Sequence, residues 1–215
     1  MADTTGTLKL TTDTQNAQQT LWIENGEIRP QDGGVLNVAG SLQLFQQQKW
    51  QAQIRSQAFN PAKLYPNFPE GNVNGTIEAT GELAQQMFQG KMQFAPSTLS
   101  GAPLSGSGDI RYENKHLSRA NTQIKLGNNL INTQGAFGKR GDTLSLDINA
   151  PNLNLFGFGL QGLLTAKGTV TSTTDSFTDI DAKLAGQLRQ FAVGSQAKCK
   201  MPISRCRHRP TPLVR

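Results

Sequence analysis

Side chains that could carry out catalysis are sparse in this 215-residue sequence. His116 is the only histidine before residue 196, and it ends a charged stretch, 113–116, of the kind found on protein surfaces. The carboxylates have no spacing that suits a metal site or a pair of acid–base catalysts. Residues 105–109 (Ser-Gly-Ser-Gly-Asp) do not match the Gly-x-Ser-x-Gly turn that presents a catalytic serine, and Gly-Phe-Gly at 157–159 precedes no predicted helix. We therefore predict a non-enzymatic protein without a metal or cofactor.

The net charge of +6 is confined to the end of the chain. Six of the 21 lysines and arginines lie after residue 197, which leaves 15 basic residues against 15 acidic residues before it. That long neutral part lacks the basic surface on which nucleic-acid binding depends, so no nucleic-acid partner is expected.

Residues 196–215 differ in composition from the rest of the chain. They contain both cysteines, one of the two histidines and three of the ten prolines. We expect a disordered tail, and hypothesise that it is out-of-frame sequence or the premature end of a longer protein. A zinc site of Cys199, Cys206 and His208 is an alternative that lacks a fourth ligand and a standard spacing. A basic arm that binds a membrane or nucleic acid is another.

The elements that could build a binding surface instead are strands with a repeated glycine motif. The motif is an apolar residue, a glycine four positions later and a second apolar residue two positions after the glycine. It recurs at 36–42, 77–83, 104–110, 131–137 and 164–170. Residues two apart share a face of a strand, so each copy places both apolar side chains and the glycine on one face. The pattern leaves open whether the glycines widen a groove or bend the strands.

Alternating apolar and polar residues fill most of the remaining chain up to residue 195. Turn signals such as Asp-Gly-Gly at 32–34 separate them, and strands with a single apolar face are typical of antiparallel sheets. Helical signal is limited to one turn at 60–66, where Asn60 can cap the turn and Pro61 can begin it. Similar segments at 75–83 and 162–170 predict that residues 1–195 form two imperfect units, about 1–100 and 101–195.

The predicted apolar faces need a cover, because a large exposed apolar surface requires a reason. No amphipathic helix is predicted that could supply it. One solution is a second sheet with a dry core between the layers, which the pattern alone favours. The other is a curled trough whose lining stays open to a ligand.

Residues 59–81, from Phe-Asn-Pro-Ala-Lys-Leu-Tyr-Pro onward, resemble a recurring segment of the TamB family in the AsmA-like superfamily. Residues 99–108 and 142–168 are similar to its following elements, so the likeness covers about residues 1–195. It implies a long periplasmic β-trough with an apolar interior, an N-terminal inner-membrane anchor and an outer-membrane β-barrel assembly partner. The family is associated with outer-membrane protein assembly and with phospholipid movement between membranes. Because no signal peptide or membrane-spanning segment is predicted, we expect an interior fragment of such a protein.

We predict an all-β, elongated, curled antiparallel sheet with an apolar concave face and almost no helix. It would supply a hydrophobic groove for phospholipid acyl chains, for outer-membrane protein assembly, or for both. The residues predicted to line the groove are Leu42, Leu44, Ile77, Ala79, Leu83, Ile110, Ile124, Leu126, Leu144, Leu146, Leu164 and Val170. The assignment depends on register, because one bulge reverses the faces of a strand.

Two other classes of protein fit parts of the pattern. A passenger or adhesin-like β-solenoid fragment would have a dry core and no lipid cargo. An outer-membrane barrel would need aromatic girdles, whereas aromatic residues are 7% here and are not paired at strand ends.

Overall fold

A computed structural model describes residues 2–13, 18–65, 67–193 and 196–199. These residues form thirteen strands in one sheet whose order follows the chain, and every neighbouring pair is antiparallel. The strands are β1 Ala2–Asp13, β2 Gln18–Pro30, β3 Val35–Gln43, β4 Lys49–Phe59, β5 Gly71–Glu82, β6 Met87–Leu99, β7 Ala102–Glu113, β8 His116–Leu126, β9 Asn129–Gly135, β10 Thr143–Ala150, β11 Leu160–Ser172, β12 Ile180–Val193 and β13 Gln196–Cys199. The predicted fold is confirmed: the sheet is an unclosed, curled trough.

Helix is confined to two single turns of 3₁₀ type within the described part of the chain, Pro61–Lys63 and Leu153–Phe156. The first lies where one turn was predicted. Its cap, Asn60, accepts hydrogen bonds through Oδ1 from the backbone N–H groups of Ala62 and Gly71, both at 3.2 Å. Pro61 begins the turn because its missing N–H would have no partner there. The same asparagine therefore starts the turn and ties it to the first residue of β5.

Cross-strand pairing segregates the side chains into an apolar face and a polar face. Directly paired residues lie on the same face of a sheet, so the register assigns faces without ambiguity. One cross-strand row on the apolar face is Leu21, Leu42, Trp50, Gly81, Phe88 and Tyr112. The adjacent row on the other face is Trp22, Ser41, Gln51, Thr80, Gln89 and Arg111, which is polar apart from Trp22. The apolar face is the concave one.

Glycines of the repeated motif allow the close approach of neighbouring strands. Gly135 and Gly168 have φ of +130° and +148°, in a range that residues with a Cβ rarely adopt. A Cβ at Gly135 would collide with the carbonyl oxygen of Thr143, and one at Gly168 with that of Lys183. The backbone of the next strand occupies the space beside these two glycines, so neither leaves open width in the sheet.

The strand connections form two rims, because alternate connections of an antiparallel meander lie at opposite ends of the strands. We call the rim with the β2–β3, β4–β5, β6–β7, β8–β9 and β10–β11 connections the lower rim. The rim with the β3–β4, β5–β6, β7–β8, β9–β10 and β11–β12 connections is the upper rim.

Much of the buried core lies near the lower rim, beside the β10–β11 connection. Its apolar members are Leu104, Leu126, Ala150 and Leu153. Asn129, which is 0% exposed, donates to the Asn152 carbonyl at 2.7 Å and accepts from the Asn152 N–H at 2.9 Å. Ser100 Oγ donates to the Leu155 carbonyl at 2.9 Å. These bonds hold the β10–β11 connection across the turns of the preceding strands.

A second, aromatic cluster lies at the upper rim of the later strands. The β11–β12 connection brings the Phe177 ring to 5.3 Å from Phe137 and 6.2 Å from Tyr112, measured between ring centroids. Ser172 Oγ, which is buried, accepts from the Gly138 N–H at 2.9 Å. Long connections thus cover both rims of the later strands.

The predicted domain boundary at residue 195 falls between β12 and β13. β13, Gln196–Cys199, pairs with β12 beyond that boundary. The remainder of the predicted tail, 200–215, lies outside the described residues, and so do two of the three ligands of the alternative zinc site, Cys206 and His208.

Candidate functional site

The register places most of the predicted groove residues on the apolar face. Residues on this face either pair directly across neighbouring strands or lie two positions apart on one strand. The predicted residues placed there are Leu42, Ile77, Ala79, Ile110, Ile124, Leu126, Leu144, Leu146, Leu164 and Val170. Leu44 and Leu83 are not on a strand, because β3 ends at Gln43 and β5 at Glu82. Both lie in upper-rim turns, where the Leu44 N–H donates to Gln19 and the Leu83 N–H to Gln48.

Across β3–β6 the apolar face has a floor of small residues between two rows of larger ones. The floor is Gly40, Ala52, Ala79 and Gly90, paired in sequence across the four strands. The row nearer the lower rim is Val38, Ile54, Ile77 and Met92, and the row nearer the upper rim is Leu42, Trp50, Gly81 and Phe88. The surface is therefore a shallow channel that runs across the strands, along the length of the trough.

Trp50 and Phe88 form an aromatic wall that the sequence prediction missed. Their rings stack with centroids 6.0 Å apart, from the strands on either side of Gly81. A Cβ at Gly81 would collide with the Trp50 indole, so the glycine makes room for the ring. The signal was available, because Trp50 begins an alternating stretch that also contains Ala52 and Ile54.

Large side chains on the apolar face of the first strands are exposed. Leu8 on β1 is 71% exposed and Ile77 on β5 is 41% exposed. Leu10, Ile23 and Phe88 are exposed on the same face. A monomeric protein rarely leaves a contiguous apolar surface uncovered unless the surface contacts a partner, a ligand or a membrane.

Further along the trough, the apolar face includes two threonines whose hydroxyls hydrogen-bond to each other. Thr122 on β8 and Thr133 on β9 are cross-strand partners, and their hydroxyls are 2.5 Å apart. They lie in the same cross-strand row as Ile77 and Leu146. Because each hydroxyl has the other as partner, the pair adds little cost to the apolar surroundings.

Charged side chains are concentrated on the polar face and the rims. Arg119 donates to Asp109, and Lys167 to Asp147, both at 3.0 Å. The hydrogen bond from Arg111, at 2.9 Å, holds the pKa of the Glu113 carboxyl below its usual value, against a smaller opposing effect of burial.

A second such pair lies on the polar face of β2. The hydrogen bond to Glu27 and the charge of that carboxylate raise the pKa of Arg29.

The groups that could do catalysis are not assembled in the part of the chain that the structure describes. His116 lies at the upper rim, with Nε2 2.9 Å from Asp142 Oδ2, away from the apolar floor. No three His, Cys, Asp or Glu side chains among the described residues are arranged to hold a metal ion. Nor do these residues include a helix long and apolar enough to cross a membrane.

Comparison with known proteins identifies a family. Residues 3–199 match the family model described as TamB, N-terminal domain. No curated protein and no solved structure matches the chain. The match covers the strands that form the trough and confirms the resemblance seen in the sequence. The chain belongs to the TamB family, a family of the cell envelope.

Proposed function

We propose that the apolar face is a non-enzymatic groove that shields phospholipid acyl chains in the periplasm. The observation that carries the proposal is the exposed apolar face of β1–β6, on which Leu8, Ile23 and Ile77 have no covering layer in the described part of the chain. Membership of the TamB family supports a role in the envelope. The same membership supports, as part of this proposal, an outer-membrane β-barrel as assembly partner.

The energetics favour an acyl chain as occupant. Each CH₂ group in water costs about 0.8 kcal/mol, so a sixteen-carbon chain costs on the order of 12 kcal/mol. A channel floored by Gly40, Ala52 and Ala79 and walled by larger apolar side chains removes much of that cost without any polar contact. No catalytic group is needed, because moving a lipid along such a surface makes and breaks no covalent bond.

An unfolded outer-membrane protein is the other occupant that the family suggests. Its backbone would need hydrogen-bond partners, which the interior strands cannot supply because their N–H and C=O groups are already paired. The apolar face of β3–β6 offers side chains only. The apolar face therefore suits a lipid better than an unfolded protein. An unfolded protein would find free backbone hydrogen-bonding groups only at the edges of the sheet.

A dry-core solenoid fragment makes the opposite prediction about cargo. It would need a second layer over the apolar face, whereas the described residues form a single sheet. We expect the purified chain to retain phospholipid that native mass spectrometry detects.

Photo-crosslinking separates the two faces of the sheet. Benzoylphenylalanine would replace Ile77 or Leu184 on the apolar face, and their neighbours Glu78 or Lys183 on the polar face as matched controls. With labelled phosphatidylethanolamine in vesicles, we expect adducts at Ile77 and Leu184 and only background at the two controls. Equal labelling of both faces, or no lipid adduct at any position, would refute the proposal.

A further inference from the structure

The channel on the apolar face changes where it reaches β2. Ile23 on β2 pairs with Gly40, so a large side chain follows the small residues of the floor. Gly26 on β2 pairs with Val38, so the row of larger residues nearer the lower rim has no side chain on β2. The floor of the channel is therefore closed at β2, whereas the wall beside it is open.

A single β-bulge forms a depression at this gap in the wall. The extra residue of β2 is Asn25, whose φ is +53°. The bulge shifts the register with both neighbouring strands, and on β1 the shift lies between Thr5 and Thr7. It sets Gly6 against Gly26, because a Cβ on Gly6 would come within 2.9 Å of the Gly26 Cα. The depression there has a volume of about 380 Å³, within the range of roughly 300–1,000 Å³ that is usual for small-molecule sites.

The chemistry of the depression fits hydrocarbon. The large residues of the apolar face that line it are Leu8, Ile23, Ile28 and Val38. Leu8 and Ile23 are exposed, so an apolar occupant would remove their surface from water. The acidic residue at its edge, Glu27, already pairs with Arg29. Because the described residues that line the depression include no lysine or arginine, it suits an acyl chain and not a phosphate headgroup.

The opposite end of the channel floor is closed by larger side chains. A Cβ on Gly90 would come within 2.9 Å of the Phe88 ring, so this ring covers the last floor position on β6. The partner of Gly90 on β7 is Ile110, which is again large. The strands β2 and β6 are four strand spacings apart, or roughly 19 Å on a flat sheet. A hydrocarbon chain on the floor can therefore continue in apolar surroundings by passing Ile23 into the depression.

We propose that the depression around Gly6 and Gly26 binds the terminal methyl end of a phospholipid acyl chain. The floor of small residues holds the middle of that chain, and the headgroup lies in water on the side of the channel towards Phe88. The trough then has a defined resting position for a lipid, with one direction of the acyl chain. This inference rests on the proposed lipid function and adds to it a subsite and an orientation.

Photoactivatable lipids test the orientation in the parent protein. One phosphatidylethanolamine carries a diazirine at the methyl end of an acyl chain, and a second carries it near the glycerol. Both are presented in vesicles, and mass spectrometry of peptides locates the adducts. We expect the first lipid to label β1–β3 several-fold more than β5–β7, and the second lipid to show the reverse preference. Equal labelling of both regions by both lipids would overturn the subsite alone, whereas no adduct from either lipid would refute the proposed function with it.

A variant that fills the depression tests the subsite independently. Val38→Phe places a ring in the space of roughly two methylene groups, so we expect about tenfold weaker binding of a fluorescent phosphatidylethanolamine. Ala39→Phe is the matched control, because Ala39 is the next residue of β3 and lies on the polar face; its binding should equal that of the parent. Chemical denaturation checks that both variants fold. Parent-like binding by a folded Val38→Phe, or an equal loss in Ala39→Phe, would contradict the subsite.

Discussion

The first six strands and the next six follow the same alternating pattern but differ in how their apolar face is covered. On β1–β6 the face carries exposed side chains such as Leu8 and Ile77. On β7–β11 the face includes buried residues such as Leu104, Leu126 and Ala150. The strands of the two regions are alike in length and in their segregation of polar and apolar residues.

The connections account for the difference. Between β7 and β12 the long β10–β11 and β11–β12 connections fold back over the strand ends, through Asn152, Leu155 and Phe177. The β3–β4 and β5–β6 connections are short turns, and the long β4–β5 connection packs its Phe68 ring against Phe158 of the β10–β11 connection. One strand pattern can therefore line an open channel or a covered core, and the loops decide which.

Truncation of a buried leucine should cause the largest loss in the free energy of unfolding. Leu126 is 1% exposed, so Leu126→Ala should lower the free energy of unfolding by about 3 kcal/mol, because it removes apolar contacts and leaves a cavity. Ile77→Ala on the open part of the face should cost less, about 1 kcal/mol, since the residue is already 41% exposed. Chemical denaturation measures both. Equal losses would mean that the two regions are covered to the same degree.

Removal of an aromatic ring at the upper rim should have an intermediate effect. Phe177→Ala loses the contacts with Phe137 and Tyr112, so we expect a loss of about 1–2 kcal/mol and faster amide exchange at 136–142. Phe45→Ala at the rim of the first strands should stay within about 0.5 kcal/mol of the parent. The idea that the β11–β12 connection covers the later strands fails if exchange at 136–142 is unchanged.

Loss of an ion pair on the polar face should have the smallest effect. The folded-state pKa of Glu113 is lowered, chiefly by the hydrogen bond from Arg111, below its ordinary value of 4.5. The pair therefore stabilises the fold above about pH 4.5, and the contribution disappears as the pH falls through the lowered pKa. Glu113→Gln should remove less than about 1 kcal/mol near pH 6, because the pair is exposed, and the loss should shrink as the pH falls through the lowered pKa.

Denaturation of parent and Glu113→Gln across that pH range provides the measurement. A loss as large as that expected for Leu126→Ala would show that polar-face charges, rather than the covered core, stabilise the later strands.

Much of the fold could be predicted because a strand has a period of two. Alternation located the strands, and most of the predicted groove residues lie on one face. Leu44 and Leu83 lie in turns rather than on strands, because the strands end one residue before each of them. Strand ends depend on where the turn begins, and hydrophobic alternation does not mark that point.

Aromatic contacts between residues far apart in sequence were harder to predict. Trp50 and Phe88 are 38 positions apart in sequence, and only the pairing of β4, β5 and β6 stacks their rings over Gly81. Phe68 and Phe158 belong to loops, whose positions carry no periodic signal. Their contact, with ring centroids 5.5 Å apart, follows from how the β4–β5 and β10–β11 connections fold over the lower rim.

The amino-acid sequence by itself determined the strands, the segregation of their faces and the family, because these depend on local alternation and on recurring segments. The tertiary structure decided which part of the apolar face is open and which is covered. It also decided that the space beside motif glycines such as Gly168 is filled by the backbone of a neighbouring strand and is not open to a ligand. The physical reason is that coverage and curvature arise from contacts between residues far apart in the chain, whereas alternation is a property of a few consecutive residues.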